Sequence, residues 1–397
     1  MATSYVGRVS SFDEILKSPK IDYHELSKMC FSGVPDSAGI RSLCWKILLG
    51  YLPPVTVEWP DILAKKRTLY TEFLQEMIIQ PGSKKYSTNR TDVTMEDHPL
   101  NPNPDSQWSQ YFKDNEVLLQ IDKDTRRLQP DIGFFQQATE FPCKELVDVN
   151  TSLETLRKRV EHTMLQSVAV AKSRSGITNM SGGKKPKKME FGHDTLEEGQ
   201  EAHWEVLERI LFIYAKLNPG QSYVQGMNEI IGPLYYVFAS AKDPASTEHA
   251  EADTFFCFTN LMSKMRDNFI KTLDDSPTGI NAKMQQLMLM VKKCDPKLWL
   301  RFQQQDLKPQ FFGFRWLTLW LTQEFPLPDV IRLWDSLLSD EGNPEFLLCV
   351  CCAMILSQKD TLIEGDFATN IKLLQNYPAI DIHQLLKKAI EVREHCS

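Results

Sequence analysis

The chain has 397 residues, 42% of them apolar, so it is long enough to bury a large core spread over two or more structural lobes. Its formal net charge of -7 argues against a general nucleic-acid-binding protein, because such proteins need a basic face to displace counterions from phosphates. No apolar run approaches the length of a membrane span, and we expect neither a signal peptide nor a myristoyl or prenyl anchor. These features favour a soluble globular protein.

The nine cysteines do not suggest a metal site or a disulfide framework. Most are scattered singly, but Cys349, Cys351 and Cys352 share the apolar run 346–356, and no further Cys or His pair is spaced to complete a metal site with them. We interpret these three as free thiols buried in a core helix, as expected in the reducing cytosol.

Helical periodicity begins near the start of the chain. Apolar residues recur at helical spacing over residues 12–30, 40–48 and 61–80, which predicts a series of amphipathic helices. The segment 81–104 is polar and rich in proline, asparagine and aspartate, so we expect a loop there.

A turn and a helix make up the block of residues 31–50. Gly33 and Pro35 break the chain before the helix that carries Arg41 and Trp45. We interpret Trp45 as a core residue, and Arg41, from spacing alone, as a charge on the helix surface.

A second block, residues 121–127 with the sequence IDKDTRR, ends an amphipathic helix. Pro130 prevents this helix from continuing far, because proline lacks the amide donor that the next turn requires. Two phenylalanines at 134–135 then provide an apolar anchor.

Asp124 and Arg127 in this block are three residues apart. On an ordinary exposed helix such a pair contributes only a few tenths of a kcal/mol. At the end of a helix, ahead of a proline, Arg127 can instead project from a fixed loop. Arg126 is the neighbouring arginine, and we expect it to be expendable for activity.

A third block follows an apolar helix that ends near residue 217. Residues 218–220, Asn-Pro-Gly, stop that helix, and a second helix starts almost at once. Ser222 and Gln225 have the spacing of a capping box, in which Gln225 would bond back to the backbone. The alternative is that the Gln225 amide reaches outward to a partner.

Residues 139–199 lie between the second and third blocks. Residues 151–190 contain nine basic and three acidic residues, and residues 173–192 have little to bury, so we expect disorder there. A run of lysines could bind an anionic membrane surface, although a solvated tether is the plainer interpretation. These residues are Lys184, Lys185, Lys187 and Lys188. The preceding glycines do not complete a phosphate-binding loop, so we expect no tight nucleotide binding by the chain itself.

Two further blocks, residues 309–320 and 325–335, are rich in aromatic residues. We expect Arg315, Asp329 and Asp335 to form internal polar links while the tryptophans pack in the core.

Taken in order, these blocks resemble the TBC family of GTPase-activating proteins for Rab GTPases. The resemblance implies an all-α fold with the two-lobed, V-shaped TBC architecture, and the absence of sustained period-two alternation agrees with an all-helical chain. It places the TBC domain at residues 32–340, interrupted by an insertion at about 139–199. A helical lead-in at 1–31 and a helical extension at 341–397 would flank it.

The same resemblance implies a function in trans. Arg127 would be an arginine finger and Gln225 a glutamine finger, and both would accelerate GTP hydrolysis by a Rab-family GTPase in its GTP state, thereby regulating vesicle trafficking. It also implies supporting residues around these two. They are Asp124, Tyr223, Asn228, Gly226 and Arg41.

No cofactor of the chain's own is expected, because the GTP and the magnesium ion would belong to the partner. We expect a cytoplasmic protein that is recruited peripherally to membranes carrying the Rab. The sequence does not specify which Rab is the substrate. Two other interpretations remain: a non-catalytic TBC-like scaffold, which would usually lack one finger, and a helical-repeat adaptor, which the lack of a fixed repeat period disfavours.

Overall fold

The computed structural model describes residues 5–37, 39–78, 107–143, 155–164, 196, 199–340 and 345–396. Throughout these ranges the regular elements are helices, and the β-type pairings are isolated bridges, Lys20 with Val55 and Ala138 with Ala202. The predicted all-α fold is confirmed.

The described residues contain eighteen α-helices. In chain order they are α1 Tyr5–Leu16, α2 Tyr23–Phe31, α3 Ile40–Leu48, α4 Trp59–Met77, α5 Gln107–Thr125, α6 156–164, α7 His203–Leu217, α8 Met227–Ala239, α9 Pro244–Thr247, α10 Ala250–Met265, α11 Ile280–Cys294, α12 Pro296–Gln304, α13 Gly313–Thr318, α14 Leu327–Ser339, α15 Glu345–Ser357, α16 Lys359–Glu364, α17 Phe367–Gln375 and α18 Ile382–Cys396.

The chain forms two compact units. Unit 1 comprises residues 1–67 and 229–397, and unit 2 comprises residues 68–228. The sequence predicts a different division, into a lead-in at 1–31, an interrupted TBC domain at 32–340 and an extension at 341–397. That division stays a prediction.

Unit 1 is organised around buried tryptophans and a buried carboxylate. Trp45 and Trp334 are both fully buried, with ring centroids 6.0 Å apart. Asp335 accepts hydrogen bonds from the Trp45 indole N–H at 2.8 Å and from the Val34 amide at 2.9 Å, so it ties the turn before α3 to α14. Trp45 is therefore a core residue, and Asp335 forms the internal link that the sequence predicts.

Two more predictions about unit 1, the internal link of Arg315 and the buried thiols of α15, are confirmed. The Arg315 guanidinium donates to the Glu324 carboxylate at 2.6 Å, which makes it an internal partner. Cys349, Cys351 and Cys352 are buried free thiols on α15.

Unit 2 is built on α7, which packs against α5. Every residue of α7 from 203 to 215 is buried, as expected of a helix that is enclosed on all sides. Its charged side chains are therefore buried too, and they face partners from α5 and α6. Leu156 and Val160 of α6 are buried, in agreement with the apolar stripe that the sequence shows there.

Several predictions fall on residues outside the described ranges. They include the loop at 81–104, the disorder at 173–192 and the basic run of Lys184, Lys185, Lys187 and Lys188.

Candidate functional site

The turn that follows α5 presents Arg127 to solvent. We call residues 126–128 the finger turn. The Arg126 amide donates to the Asp122 carbonyl and the Leu128 amide to the Thr125 carbonyl, both at 3.1 Å, so the backbone closes tightly as the helix ends. The Arg127 side chain is 73% exposed, as expected for a side chain that projects from a fixed loop.

Two contacts orient the Arg127 guanidinium. Its Nε donates to the Lys123 carbonyl at 2.8 Å, and its Nη2 donates to Asp124 Oδ1 at 3.3 Å. Asp124 itself is largely buried, with its side chain 9% exposed. The carboxylate is thus fixed, and it restrains an arginine whose outer surface remains in water.

The second turn carries Gln225, and it differs from the prediction. Helix α8 begins at Met227, and Ser222 has a φ of 56°, in the left-handed region rather than in the extended conformation of an N-cap. The predicted capping box is therefore wrong. Ser222 lies well before the first residue of α8, and Gln225 also precedes the helix instead of lying in its first turn.

Gln225 instead lies at a corner of a tight turn. The Met227 amide donates to the Val224 carbonyl at 3.1 Å, which leaves Gln225 and Gly226 as the two central residues. Gly226 has a φ of 103°, which residues with a Cβ atom rarely adopt. A positive φ is also what the third position of a type II turn requires. Gln225 is exposed, and none of the described residues hydrogen-bonds its amide.

One carboxylate connects the two turns. Asp124 Oδ2 accepts from the Tyr223 hydroxyl at 2.9 Å, while Asp124 Oδ1 accepts from Arg127. The Asn228 amide donates to the Asp124 carbonyl at 3.3 Å, and its oxygen lies 3.3 Å from the Tyr223 hydroxyl. The residues that flank Gln225 in sequence are therefore both bonded to the aspartate that holds Arg127.

Arg126, which the sequence predicts to be expendable for activity, is mostly buried and has partners of its own. Its guanidinium contacts Asp122 Oδ1 at 2.8 Å and stacks on the Trp204 indole with 4.2 Å to the centroid. Its side chain is 14% exposed and that of Asp122 is 1% exposed. The i,i+4 spacing of Asp122 and Arg126 is the sequence signal that could have identified this pair.

Arg41 lies in unit 1, where it has internal partners. Its guanidinium donates to Asp335 Oδ1 at 3.2 Å, to the Val34 carbonyl at 2.5 Å and to Asp36 Oδ1 at 3.3 Å. These contacts fix the turn before α3. The surface-charge interpretation is wrong because the side chain is mostly enclosed, and its contacts offer no support for a role beside Arg127.

Neither metal ligation nor membrane spanning has a candidate in the described part of the chain. There, no three His, Cys, Asp or Glu residues converge as metal ligands, and no helix combines the length and the apolarity needed to cross a bilayer.

Comparisons with known proteins agree with the fold and the sequence blocks. The profile of the Rab-GTPase-TBC domain matches residues 188–363, a range that includes Gln225 and starts after Arg127. TBC1 domain family member 13 from Homo sapiens is 58% identical, with 99% of this chain and 100% of the relative covered. A TBC domain-containing protein from Schizosaccharomyces pombe is 35% identical over 98% of this chain and 73% of its own length.

A solved structure shares the fold. The crystal structure of the Ypt/Rab-GAP domain of Gyp1p matches with a TM-score of 0.68 and 25% sequence identity, and the match covers 99% of this chain and 100% of that one. From the full-length identity to its relatives and the helical fold in common with a Rab-GAP domain, the chain belongs to the Rab-GTPase-TBC domain family.

Proposed function

We propose that this protein is a GTPase-activating protein that accelerates GTP hydrolysis by a Rab-family GTPase through Arg127 and Gln225, both supplied in trans. The observation that carries the proposal is Asp124. Its two carboxylate oxygens bind Arg127 and Tyr223, so one buried group orients an exposed arginine and fixes the turn of an exposed glutamine.

Arg127 matches what the transition state requires. Negative charge spreads over the transferring phosphoryl group during GTP hydrolysis, and a small GTPase alone stabilises that charge poorly. A guanidinium stays charged at every relevant pH and offers a planar set of donors for phosphate oxygens. Because its Nε and Nη2 are engaged with the Lys123 carbonyl and Asp124, less side-chain freedom is lost when it meets the nucleotide.

Gln225 matches the second requirement, which is to hold the attacking water in line. A carboxamide can accept from the water and donate to a phosphate oxygen at the same time. A glutamine of the GTPase usually performs this task. Because the turn around Gln225 is fixed by Tyr223 and Asn228, its amide can act from the activator instead.

The cellular setting follows from this activity. The GTP and the magnesium ion would belong to the partner GTPase in its GTP state, and the protein would need no cofactor of its own. We place it in the cytosol, recruited to membranes that carry the Rab, where it would regulate vesicle trafficking. Any peripheral membrane contact through Lys184, Lys185, Lys187 and Lys188 rests on their charge, roughly 1 kcal/mol for each lysine near an anionic surface.

The membrane contact has a direct test. Liposomes containing anionic lipid should retain the protein at low salt and release it as salt is added, because screening weakens the attraction. Replacement of the four lysines by glutamine should abolish retention. If the unaltered protein does not bind such liposomes at low salt, no membrane role remains for these lysines.

The function is tested by single-turnover GTP hydrolysis across a panel of purified Rab GTPases. At least one Rab should be accelerated by the protein. A variant of that Rab without its own catalytic glutamine should still respond, because Gln225 would replace the missing group. If no Rab is accelerated by well-folded protein, the scaffold interpretation takes the place of the catalytic one.

A further inference from the structure

The finger turn adjoins a group of mostly buried charges on α5, α6, α7 and the segment just before α7, which we call the charge cluster. Its members are Asp122, Arg126, Arg157, Glu201, Glu205, Glu208 and Arg209. Arg209 Nη2 pairs with Glu201 at 3.1 Å, and Arg157 Nη1 pairs with Glu205 at 3.6 Å. Of the three arginines, Arg126 alone belongs to the finger turn.

Arg126 links the end of α5 to the start of α7. It pairs with Asp122, four residues earlier on α5, and stacks on Trp204 of α7. Trp204 and Glu208 are four residues apart and so share one face of α7. The carboxylate of Glu205 also attracts the Arg126 guanidinium. The Arg126 side chain thus contacts both α5 and α7 at the residue that immediately precedes Arg127.

The finger turn is anchored on both sides of Arg127. Leu128 is fully buried, and its carbonyl accepts from the Gln136 side chain at 3.2 Å. Arg126 is mostly buried on the opposite side. The backbone of Arg127 therefore has little freedom to shift, because a shift would pull Arg126 or Leu128 out of its buried position.

Asp122 is the member of the cluster that depends most directly on Arg126. Its side chain is 1% exposed, and the Arg126 guanidinium contacts it at 2.8 Å. Burial first, and the nearby Asp122 second, raise the pKa of Glu208 well above its ordinary value, which favours the protonated form of that carboxyl. Loss of Arg126 would leave Asp122 buried without the cation that it contacts.

We propose that Arg126 is a positioning residue of the activation reaction, which holds the finger turn against α7 so that Arg127 is presented in one place. The inference rests on the proposed function. A displacement of about 1 Å can cost on the order of a hundredfold in rate when a catalytic group must be aligned. A loosened turn should therefore lower the maximal rate far more than it weakens the encounter with the Rab.

The experiment compares variants that separate support of the fold from support of the turn. Arg126→Leu removes the link and strands Asp122, so both stability and rate should fall. The double variant Arg126→Leu with Asp122→Asn removes the stranded charge as well. Its melting temperature should recover, whereas its maximal single-turnover rate at saturating activator should stay about ten- to a hundredfold below the parent's.

Two further variants sharpen the comparison. Arg126→Lys keeps a charge for Asp122 but loses the planar stack on Trp204, so its rate should lie between those of the parent and Arg126→Leu. Arg157→Lys is the matched control, because it changes an arginine of the same cluster that lies on α6. It should leave the maximal rate within about twofold. In all variants the activator concentration that gives half the maximal rate should change less than about threefold.

Amide hydrogen exchange gives a readout that needs no GTPase activity. The Arg126 and Leu128 amides should exchange faster in Arg126→Leu and in the double variant, while those of α7 keep the parent's protection.

The outcomes distinguish this inference from the proposed function. A double variant that regains both stability and full rate would show that Arg126 only supports the fold, and the positioning role would be lost while the proposed function stands. A parent protein that accelerates no Rab would remove the proposed function and this role together.

Discussion

Two buried aspartates, one in each unit, bind the same types of partner, but the cations that they bind differ in their exposure to solvent. In unit 1, Asp253 binds Lys46 at 2.7 Å, Arg67 at 3.0 Å and the Tyr51 hydroxyl at 2.7 Å. In unit 2, Asp124 likewise binds an arginine and a tyrosine hydroxyl.

The difference lies in the cations. The Lys46 and Arg67 side chains are 5% and 21% exposed, so the Asp253 network is closed within the core. The Arg127 side chain is 73% exposed. A closed network supports the fold, whereas an open one holds a cation ready for a ligand. We therefore expect the exposure of the cation, rather than the presence of an ion pair, to distinguish the arginine finger that we propose from the structural Arg67.

The largest expected effect is the loss of activation when Arg127 is changed. Arginine fingers of related GTPases contribute roughly a thousand- to a hundred-thousandfold, about 4 to 7 kcal/mol of barrier, so Arg127→Ala should abolish nearly all activation in single-turnover hydrolysis. Arg127→Lys should recover little, because lysine lacks the planar fork. Melting temperatures should stay close to the parent's, because the Arg127 side chain is 73% exposed and Asp124 keeps its hydrogen bond from Tyr223 when Arg127 is truncated.

The control for Arg127 must be an exposed cation rather than Arg126. Lys123 is exposed on the last turn of α5, and its carbonyl, which Arg127 contacts, survives truncation of the side chain. Lys123→Ala should keep nearly full activity. Full activity of Arg127→Ala would mean that the open network has no catalytic role.

The closed network should behave in the opposite way. Asp253→Asn leaves Lys46 and Arg67 buried without their anion, and breaking a buried pair in this way costs about 3 to 5 kcal/mol of the free energy of unfolding. Burial opposes ionisation of Asp253, but Lys46 and Arg67 outweigh it and hold the carboxyl pKa below its ordinary value.

The pH dependence of this stabilisation has a definite sign. A depressed carboxyl pKa contributes stability that is present above the unfolded value, about 3.9, and is lost as the pH falls through the folded value. In denaturant titrations at several acidic pH values, the free energy of unfolding should fall less steeply with decreasing pH in Asp253→Asn than in the parent. Asp36→Asn is the control, because Asp36 pairs with Arg41 at 3.3 Å while almost fully exposed, and its loss should cost less than about 1 kcal/mol. Equal costs for the two variants would contradict the distinction between closed and open pairs.

Gln225→Ala should reduce activation by roughly a hundred- to a thousandfold, the range found when one fixed polar group is removed from a transition state. Stability should not change, because Gln225 lies outside α8 and caps nothing. The Rab variant without its own glutamine should become unresponsive to Gln225→Ala. If instead it responds as fully as it does to the parent, the water-positioning role belongs elsewhere.

Tyr223→Phe should produce a smaller loss. It removes the hydroxyl that donates to Asp124 Oδ2 at 2.9 Å, a hydrogen bond to a charged group that contributes about 1.5 to 3 kcal/mol. The maximal rate should drop roughly tenfold if about half of that energy serves to fix the two turns. Tyr377→Phe, which removes a hydroxyl bonded to the Met354 carbonyl at 3.0 Å in unit 1, should lower stability without lowering the rate. A similar rate loss in both would indicate a general effect of destabilisation.

Sequence periodicity is sufficient to predict the helices, whereas the choice of Arg127 rests on the family resemblance and stays a prediction. Apolar residues at helical spacing predict α2, α3 and α4, and Pro130 predicts the end of α5 within a few residues. The projection of Arg127 into solvent agrees with its place at the end of a helix ahead of a proline.

Contacts that depend on residues far apart in the chain could not be predicted. The bond from Tyr223 to Asp124 spans 99 residues, and that from Trp45 to Asp335 spans 290. The left-handed conformation of Ser222 is equally invisible, because serine is among the best N-cap residues and the turn overrides that preference. The stacking of Arg126 on Trp204 is of the same kind, because Trp204 belongs to another helix.

The smallest predicted effect concerns Glu208, the member of the charge cluster whose pKa burial raises most directly. Neither of its carboxyl oxygens has a hydrogen-bond partner among the described residues. Asp122 and Arg126 face it from α5, and Glu205 and Arg209 flank it on α7. Its raised pKa, caused first by burial and then by Asp122, means that the folded protein keeps a proton that the unfolded chain releases above about pH 4.3. The stability that this proton contributes is fully present below that pH and is lost as the pH rises through the folded value, by at most about 1.4 kcal/mol per pH unit.

Glu208→Gln should remove this dependence, because an amide resembles the protonated acid in shape and does not titrate. The free energy of unfolding, measured in denaturant at several values between about pH 5 and pH 8, should fall with rising pH less steeply in the variant than in the parent. Glu161→Gln is the control, since Glu161 is 53% exposed and pairs with Arg157 at 3.2 Å on the surface of α6, and its curve should run parallel to the parent's over this range. Parallel curves for Glu208→Gln as well would mean that Glu208 is ionised in the folded protein, and the charge cluster would then carry a net negative charge beneath the finger turn.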